Sequence, residues 1–273
     1  MSTQADEVIN MDVAVEPGAR KASSKPHLIQ NENMILDGSG GELLSDAASL
    51  NRPVLPRSHS YVPEASTPRH VTYHALKRIL DVIGSLLIGL VFSPLIIVIA
   101  VRMSLEDGPI LFRHPRVGRG GMAFECLKFR TMVPNAEQIL RDLLAKDPQA
   151  NAEWLRDHKL KNDPRVTRIG RFLRRTSLDE LPQLWNVLRG EMSLVGPRPI
   201  VKEEMLRYGK HARRYLAAKP GVTGLWQVTG RNDTDYRRRV ALDAYYVKKH
   251  SILMDVRILL KTIKVVVWGR GAY

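Results

Sequence analysis

The chain has a single cysteine, Cys126, so no internal disulfide can form and the sequence suits a reducing compartment. That thiol falls in an apolar, strand-like stretch, where a buried or half-buried small side chain is expected. Metal-hydrolase and esterase signatures are missing too: there is no HExxH, no CxxC pair and no nucleophile-elbow serine. The one glycine-dense loop, Val117-Gly118-Arg119-Gly120-Gly121, has neither Walker nor dinucleotide-fingerprint spacing. The basic residues are not interleaved with stacking aromatics, which argues against a nucleic-acid groove. No internal repeat is present. Acidic residues are also scarce, 28 against 42 Lys and Arg, for a net charge of +14.

That charge is unevenly spread. Residues 1–70 hold six Lys/Arg and nine Asp/Glu, leaving 36 against 19 in residues 71–273, a net +17. A globular part this basic must face something anionic: nucleic acid, a phospholipid surface or phosphorylated substrates. Residues 1–70 are polar, rich in Gly and Pro and without apolar period, and are expected to be a disordered tail. Their first residues lack a basic leader with an apolar core, so no secretory signal is expected there.

From Ile79 to Val101 the only charge is Asp81. A helix of 23 residues at ~1.5 Å each could just cross a bilayer core. Two features favour a re-entrant helix–break–helix hairpin over a simple span. Ser93-Pro94 interrupts the run, and proline removes a backbone hydrogen bond that the Ser93 hydroxyl could replace at the freed carbonyl. Cations also flank both ends, Lys77 and Arg78 before it and Arg102, Arg113, Arg116 and Arg119 after it, and the positive-inside bias pulls both ends to the cytoplasm.

Beyond it, Ile110–Phe112 and Met122–Thr131 (MAFECLKFRT) read as a β-hairpin. Residues 135–161 carry helical periodicity, broken at Asp147-Pro148, and Val166–Arg175 follows as a short helix. Glu203–Ala218 reads as one amphipathic helix, Lys219–Val228 as a turn and short strand, and Asn232–His250 as a charged helix. Ile252–Trp268 is apolar with Arg257, Lys261 and Lys264 along one side, fitting either a membrane-interface helix or a core helix. The expected fold class is therefore α+β, mostly helical and membrane-associated: one re-entrant hairpin broken at Ser93-Pro94, a small β-hairpin and amphipathic interfacial helices. Its divisions are a tail (1–70), a membrane-inserted segment (71–104) and a cytoplasmic domain (105–273).

The chemistry-bearing stretch is Thr176–Leu184, where Asp179 and Glu180 stand between an arginine run (Arg168, Arg171, Arg174, Arg175) and the helix-opening Pro182. Ser177-x-x-Glu180 fits a helix capping box. The same geometry also fits an anion site at a helix start, with an acid pair able to hold a divalent ion or to attack phosphorus. Arg198, locked between Pro197 and Pro199, is either a plain surface turn or a guanidinium presented to phosphate.

Four blocks carry a resemblance: Leu127–Met132 (LKFRTM), Asp163–Leu188 (DPRVTRIGRFLRRTSLDELPQLWNVL), Glu191–Pro199 (EMSLVGPRP) and Lys219–Arg231 (KPGVTGLWQVTGR). Together they resemble the bacterial sugar transferases, the monotopic polyprenyl-phosphate hexose-1-phosphate transferases, over about residues 73–273. The C-terminal third and the closing Arg-Gly-Ala-Tyr look most like the exopolysaccharide-initiating members of rhizobia-like bacteria. The resemblance implies transfer of galactose or glucose 1-phosphate from UDP-galactose or UDP-glucose to undecaprenyl phosphate, at the cytoplasmic side of the bacterial inner membrane. It implies that Asp179 is the nucleophile forming a phospho-aspartyl intermediate, and that Asp179 and Glu180 bind Mg2+. Arg174 matches a phosphate-contacting arginine, Lys128 and Arg198 match basic active-site positions, and Arg130 is added by charge and proximity. Ser93-Pro94 matches the family's helix break. One departure is Gly121-Met122-Ala123-Phe124, where the family often has proline before the phenylalanine; it removes no reacting group. A basic lipid-binding module without chemistry is the alternative from another class. Neither oligomeric state nor the choice of hexose follows from the sequence.

Overall fold

A computed structural model describes residues 68–157, 160–229 and 235–268. The proposed tail up to residue 67 and the closing Arg-Gly-Ala-Tyr lie outside the described residues.

The first element, α1 (Pro68–Ser104), is 37 residues long, about 55 Å at the usual rise. Its apolar side chains are mostly uncovered: Leu90 and Val91 are each more than 70% exposed. What it buries is one stripe, Asp81, Ser85, Ile99 and Met103, with Ile88, Leu95 and Ile96 on the same face. Helical structure continues through Ser93-Pro94, so the two helices read from the sequence are one. The reason is local: Pro94 has no N–H to give the Leu90 carbonyl, and Ser93 Oγ donates to that carbonyl at 2.8 Å. The expected rescue is present, and it keeps the helix whole.

The hairpin is formed by β1 (Leu111–Val117) and β2 (Ala123–Phe129), antiparallel, with Leu111 opposite Phe129 and Val117 opposite Ala123. Its turn contains Gly120 (φ 70°) and Gly121 (φ 83°), backbone that L side chains rarely adopt, and closes with Gly118 N–H to the Met122 carbonyl. Helices α2 (Ala136–Lys146) and α3 (Pro148–Asp157) follow, divided at Asp147-Pro148 as the pattern indicates. Next comes α4 (Arg168–Thr176), capped at its start by Thr167 Oγ1, which accepts from Gly170 N–H. A 3-10 turn (Leu178–Glu180) leads into α5 (Gln183–Arg189).

The capping box is not formed. Ser177 sits in the left-handed region (φ 58°) and makes no side-chain cap; it ends α4 instead, its N–H returning to Arg174. With Ser177 committed to the preceding helix, the acids occupy the 3-10 turn and α5 starts later, after Pro182.

A second sheet, absent from the sequence reading, pairs β3 (Ser193–Val195) with β4 (Gly221–Thr223) in parallel. The single helix expected over Glu203–Ala218 is broken at Gly209 (φ 48°), leaving α6 (Met205–Tyr208), a 3-10 turn and α7 (Ala212–Ala217). Likewise only β4 is extended in the expected 219–228 strand; Leu225–Thr229 is helix α8. The chain closes with α9 (Tyr236–Lys249) and α10 (Ile252–Trp268).

The central core joins Phe124 and Cys126 of β2, Leu184 and Val187 of α5, Leu194 and Val195 of β3, Tyr246 of α9 and Ile258 of α10. A second cluster gathers Val117, Ile200, Tyr208, Tyr215 and Val240, and a third packs Ile99 and Met103 of α1 on Phe129 and Leu173. Gly170 lets α4 lie directly against the Thr131 carbonyl, with no room for a Cβ. Gly170→Ala should therefore lower stability by about 1–3 kcal/mol, the usual range of overpacked sites. Gly89→Ala in α1, where a Cβ meets nothing within 4 Å, should be neutral or stabilising. Thermal melts of the two variants in detergent check the contrast.

Candidate active site

Three local features deliver the site. The end of β2 carries Lys128, the αL turn at Ser177 throws Asp179 and Glu180 toward it, and Asn186 of α5 locks the two elements together. Asn186 accepts from Leu127 N–H at 3.0 Å and donates to the Glu125 carbonyl at 2.7 Å, capturing β2 as a further strand would. Asp179 is 9% exposed. Lys128 Nζ lies 2.6 Å from Glu180 Oε1 and 3.8 Å from Asp179 Oδ2, so one ammonium serves both acids. Arg174, on α4, is steadied by its Nε donating to Thr131 Oγ1 at 2.8 Å.

The electrostatics divide the dyad. Burial pushes the Asp179 carboxyl up to about 6 and Glu180 adds to the rise, against the pull of Lys128 and Arg174. Burial would depress the Lys128 ammonium, yet Glu180 and Asp179 outweigh it and hold its pKa above the usual value. Asp179 is thus an anion near neutral pH whose charge is incompletely matched by its surroundings.

Lys128 and Glu180 open on a cleft of about 310 Å³, open mouth included, also lined by Arg116, Cys126, Gln183, Arg198, Pro199, Val222 and Gln227. Arg198 leans over the Trp226 ring at 5.6 Å, and Arg239 covers the same ring at 4.5 Å. Burial and the neighbouring Arg198 lower the pKa of Arg116. Cys126 lines this cleft, but burial pushes its thiol up to about 11, which leaves it neutral and a poor nucleophile.

The structure therefore brings Lys128, Glu180 and Arg198 to one cleft; Asp179 is not among the lining residues but reaches it through Lys128, and Arg174 acts on the Asp179 charge from α4. It does not bring Arg130 there. That guanidinium lies against Gly108 and Pro134, buried, its Nε and Nη2 without a hydrogen-bond partner. Charge and sequence proximity to Lys128 were insufficient because the strand ends at Phe129 and the chain turns. Arg116, Gln183 and Gln227 were missed; Gln183 stands just past the dyad in the same motif stretch and was within reach of a sequence reading, whereas Arg116 and Gln227 come from distant segments that no local pattern ties to the dyad.

Among the described residues no group of three or more His, Cys, Asp or Glu converges. Asp179 and Glu180 offer two carboxylates, the donor type that magnesium takes together with phosphate oxygens and water.

An acid pair bracketed by cations, in a domain carrying a long uncovered apolar helix, is the layout of a protein that handles anions beside a lipid surface. The bacterial sugar transferase family matches residues 72–269, and the chain belongs to that family. It is 56% identical over 198 residues to an undecaprenyl-phosphate galactose phosphotransferase of Salmonella typhimurium, covering 72% of this chain but 42% of that protein. It is 44% identical over 214 residues to the exopolysaccharide production protein ExoY of Rhizobium meliloti, covering 78% of this chain and 95% of that one. To a UDP-glucose:undecaprenyl-phosphate glucose-1-phosphate transferase of Caulobacter vibrioides it is 40% identical over 220 residues, 77% and 76% of the two chains. The chain thus spans less than half the length of its Salmonella relative.

The raised Asp179 pKa has a sign for stability. Below about pH 4 the carboxyl is protonated both folded and unfolded, and burial costs nothing; as pH rises through about 6 the buried group must ionise and stability falls. Asp179→Asn should therefore melt like the parent near pH 4 and be more stable at pH 8, by on the order of 2 kcal/mol. Melting curves of both proteins, metal-free, at the two pH values check this.

Proposed function

We propose that the chain transfers hexose 1-phosphate, galactose or glucose, from the UDP-sugar to undecaprenyl phosphate, initiating exopolysaccharide repeat units. The observation that carries this reading is the buried Asp179 carboxylate, ionised near neutral pH and lying 3.8 Å from Lys128, whose side chain lines the same cleft as Arg116 and Arg198. The names of the relatives support the substrate class.

In the first half-reaction an Asp179 carboxylate oxygen attacks the β-phosphorus of the UDP-hexose. The bond from that phosphorus to the bridging oxygen breaks, and UMP leaves with the electron pair. The hexose phosphate remains on Asp179 as an acyl phosphate. In the second, an oxygen of undecaprenyl phosphate attacks the same phosphorus, and the Asp179 carboxylate leaves. Lys128 holds Glu180 and Asp179 in place and screens their charge from the incoming phosphates. Arg174 and Arg198 supply planar donors for phosphate oxygens. Asp179 and Glu180 would hold magnesium, which supplies charge neutralisation to the transferring phosphoryl group.

The reading places α1 in one leaflet. Its 33-residue stretch Thr72–Ser104 is long and apolar enough to cross a membrane. Yet Asp81 bonds Ser193 and Leu194, while Met103, about 33 Å further along a straight helix, packs with Phe129 and Leu173 of the same body. A crossing helix would leave those two contacts on opposite sides of the bilayer. Held to one body near both ends, the helix stays on the cytoplasmic face with its uncovered apolar side in one leaflet, keeping the cleft beside the headgroups and within reach of a soluble nucleotide-sugar.

Purified protein with magnesium, undecaprenyl phosphate and a panel of UDP-sugars should release UMP with UDP-galactose or UDP-glucose. Asp179→Asn should lower that release by about 10³-fold or more while remaining folded. Unchanged release from this variant would contradict the covalent role. Reporter tags on both termini in intact cells should be reachable from the cytoplasm alone; exposure on opposite faces contradicts the re-entrant placement.

A further inference from the structure

Asp81 is the one charge in the apolar run, and it is 3% exposed. A carboxylate in such a helix is costly and persists only with partners that repay the lost hydration. Both partners are on β3: Ser193 Oγ and Leu194 N–H each donate to Asp81 Oδ1 at 2.9 Å. Ser193 Oγ also lies within hydrogen-bond reach of Val195 N–H and the Val195 carbonyl, so this one hydroxyl ties Asp81 to the whole strand.

The next residues are Gly196-Pro197-Arg198-Pro199, and they have no slack. Gly196 donates to the Thr223 carbonyl at 2.9 Å and Gly221 to the Pro197 carbonyl at 2.8 Å. Gly196 and Gly221 approach so closely that neither has room for a Cβ. Proline then fixes φ on both sides of Arg198. A shift of β3 must therefore carry Arg198 with it. A second buried carboxylate reaches the same strand through Tyr246. Asp255, fully buried on α10, takes Lys77 Nζ and Tyr73 Oη of α1 at 3.0 Å and Tyr246 Oη at 2.7 Å; Tyr246 Oη is also 3.1 Å from the Val195 carbonyl.

We propose that Asp81 is a positioning residue: seated from the membrane helix onto β3, it sets where Arg198 stands in the cleft, so the phosphate-binding geometry depends on how α1 is docked. This rests on the transferase reading, in which Arg198 contacts substrate phosphate. The group that matters is the acceptor oxygen at position 81, not the negative charge.

The test is a pair of double-mutant cycles on UMP release by full-length protein in detergent or nanodiscs. Asp81→Ala should raise KM for the UDP-sugar about 10- to 100-fold, the loss of a hydrogen-bonded anchor. Asp81→Asn keeps an acceptor for Ser193 and Leu194 and should restore KM to near the parent value. Arg198→Ala added to Asp81→Ala should cost little more, because both remove the same placement. Arg174→Gln added to Asp81→Ala should be additive, since Arg174 is held by Thr131 and not through β3. Should Asp81→Ala not fold, Ser193→Ala carries the same cycles. Additivity at 81 and 198, equal coupling at 198 and 174, or an Asn variant as impaired as Ala would each overturn the proposal. If the parent releases no UMP with any UDP-sugar, the transferase reading itself fails. The placement then stands or falls on whether Asp81→Ala, but not Asp81→Asn, changes the rate at which phenylglyoxal modifies the Arg198 guanidinium, read by peptide mass mapping.

Discussion

The structure turns on one ammonium between two carboxylates. Without Lys128, the turn holding Asp179 and Glu180 would place two negative charges side by side in a largely dehydrated setting, and one would take a proton. With it, Glu180 is neutralised at 2.6 Å while Asp179, at 3.8 Å, keeps an anionic oxygen whose pKa stays near 6. The asymmetry of those distances leaves one acid closely paired and the other less so. Everything nearby serves that spacing: Asn186 fastens β2 to α5, and Ser177 in its left-handed conformation turns the chain just before the acids. Ser177 is the one non-glycine with positive φ among the described residues, a strain on the order of 1 kcal/mol kept beside the site.

A second constraint is how an apolar helix can belong to a polar domain. The uncovered side of α1 is aliphatic, but its buried stripe carries Lys77, Asp81 and Ser85 at one end and Ile99 and Met103 at the other. Arg78 adds two short bonds, 2.6 and 2.7 Å, to the carbonyls of Val187 and Leu188 that end α5. Those carbonyls lie in the last turn, at the negative end of the helix dipole, and Val187 already accepts from Gly190 N–H, so a guanidinium adds donors where the helix supplies few. This long apolar helix thereby touches α5, the helix after the dyad's turn, and the strand leading to Arg198.

Local patterns made much of this legible. Alternation in MAFECLKFRT gave the β-hairpin, and the Asp147-Pro148 break divided α2 from α3. The Ser93 hydroxyl takes the part expected of it at the carbonyl freed by Pro94. The β3–β4 pair was illegible because each strand is three residues long and parallel partners lie far apart in sequence. Gly209 inside an amphipathic pattern was read through, although a positive φ there ends the helix. At the site, the dyad and Lys128 stood out as motif residues. Arg116 and Gln227 could be found only once the fold brought them to the cleft. Asp81 was visible as a lone charge, but its meaning needed Ser193 and Leu194 beside it.

The central claim is that Asp179 carries the sugar phosphate between donor and acceptor. The most direct measurement is the intact mass of protein incubated with its UDP-sugar and no lipid acceptor, followed by peptide mapping. The account predicts one hexose phosphate per chain, mapped to Asp179 and discharged when undecaprenyl phosphate is added. UMP release with no adduct, or an adduct at another residue, would contradict it.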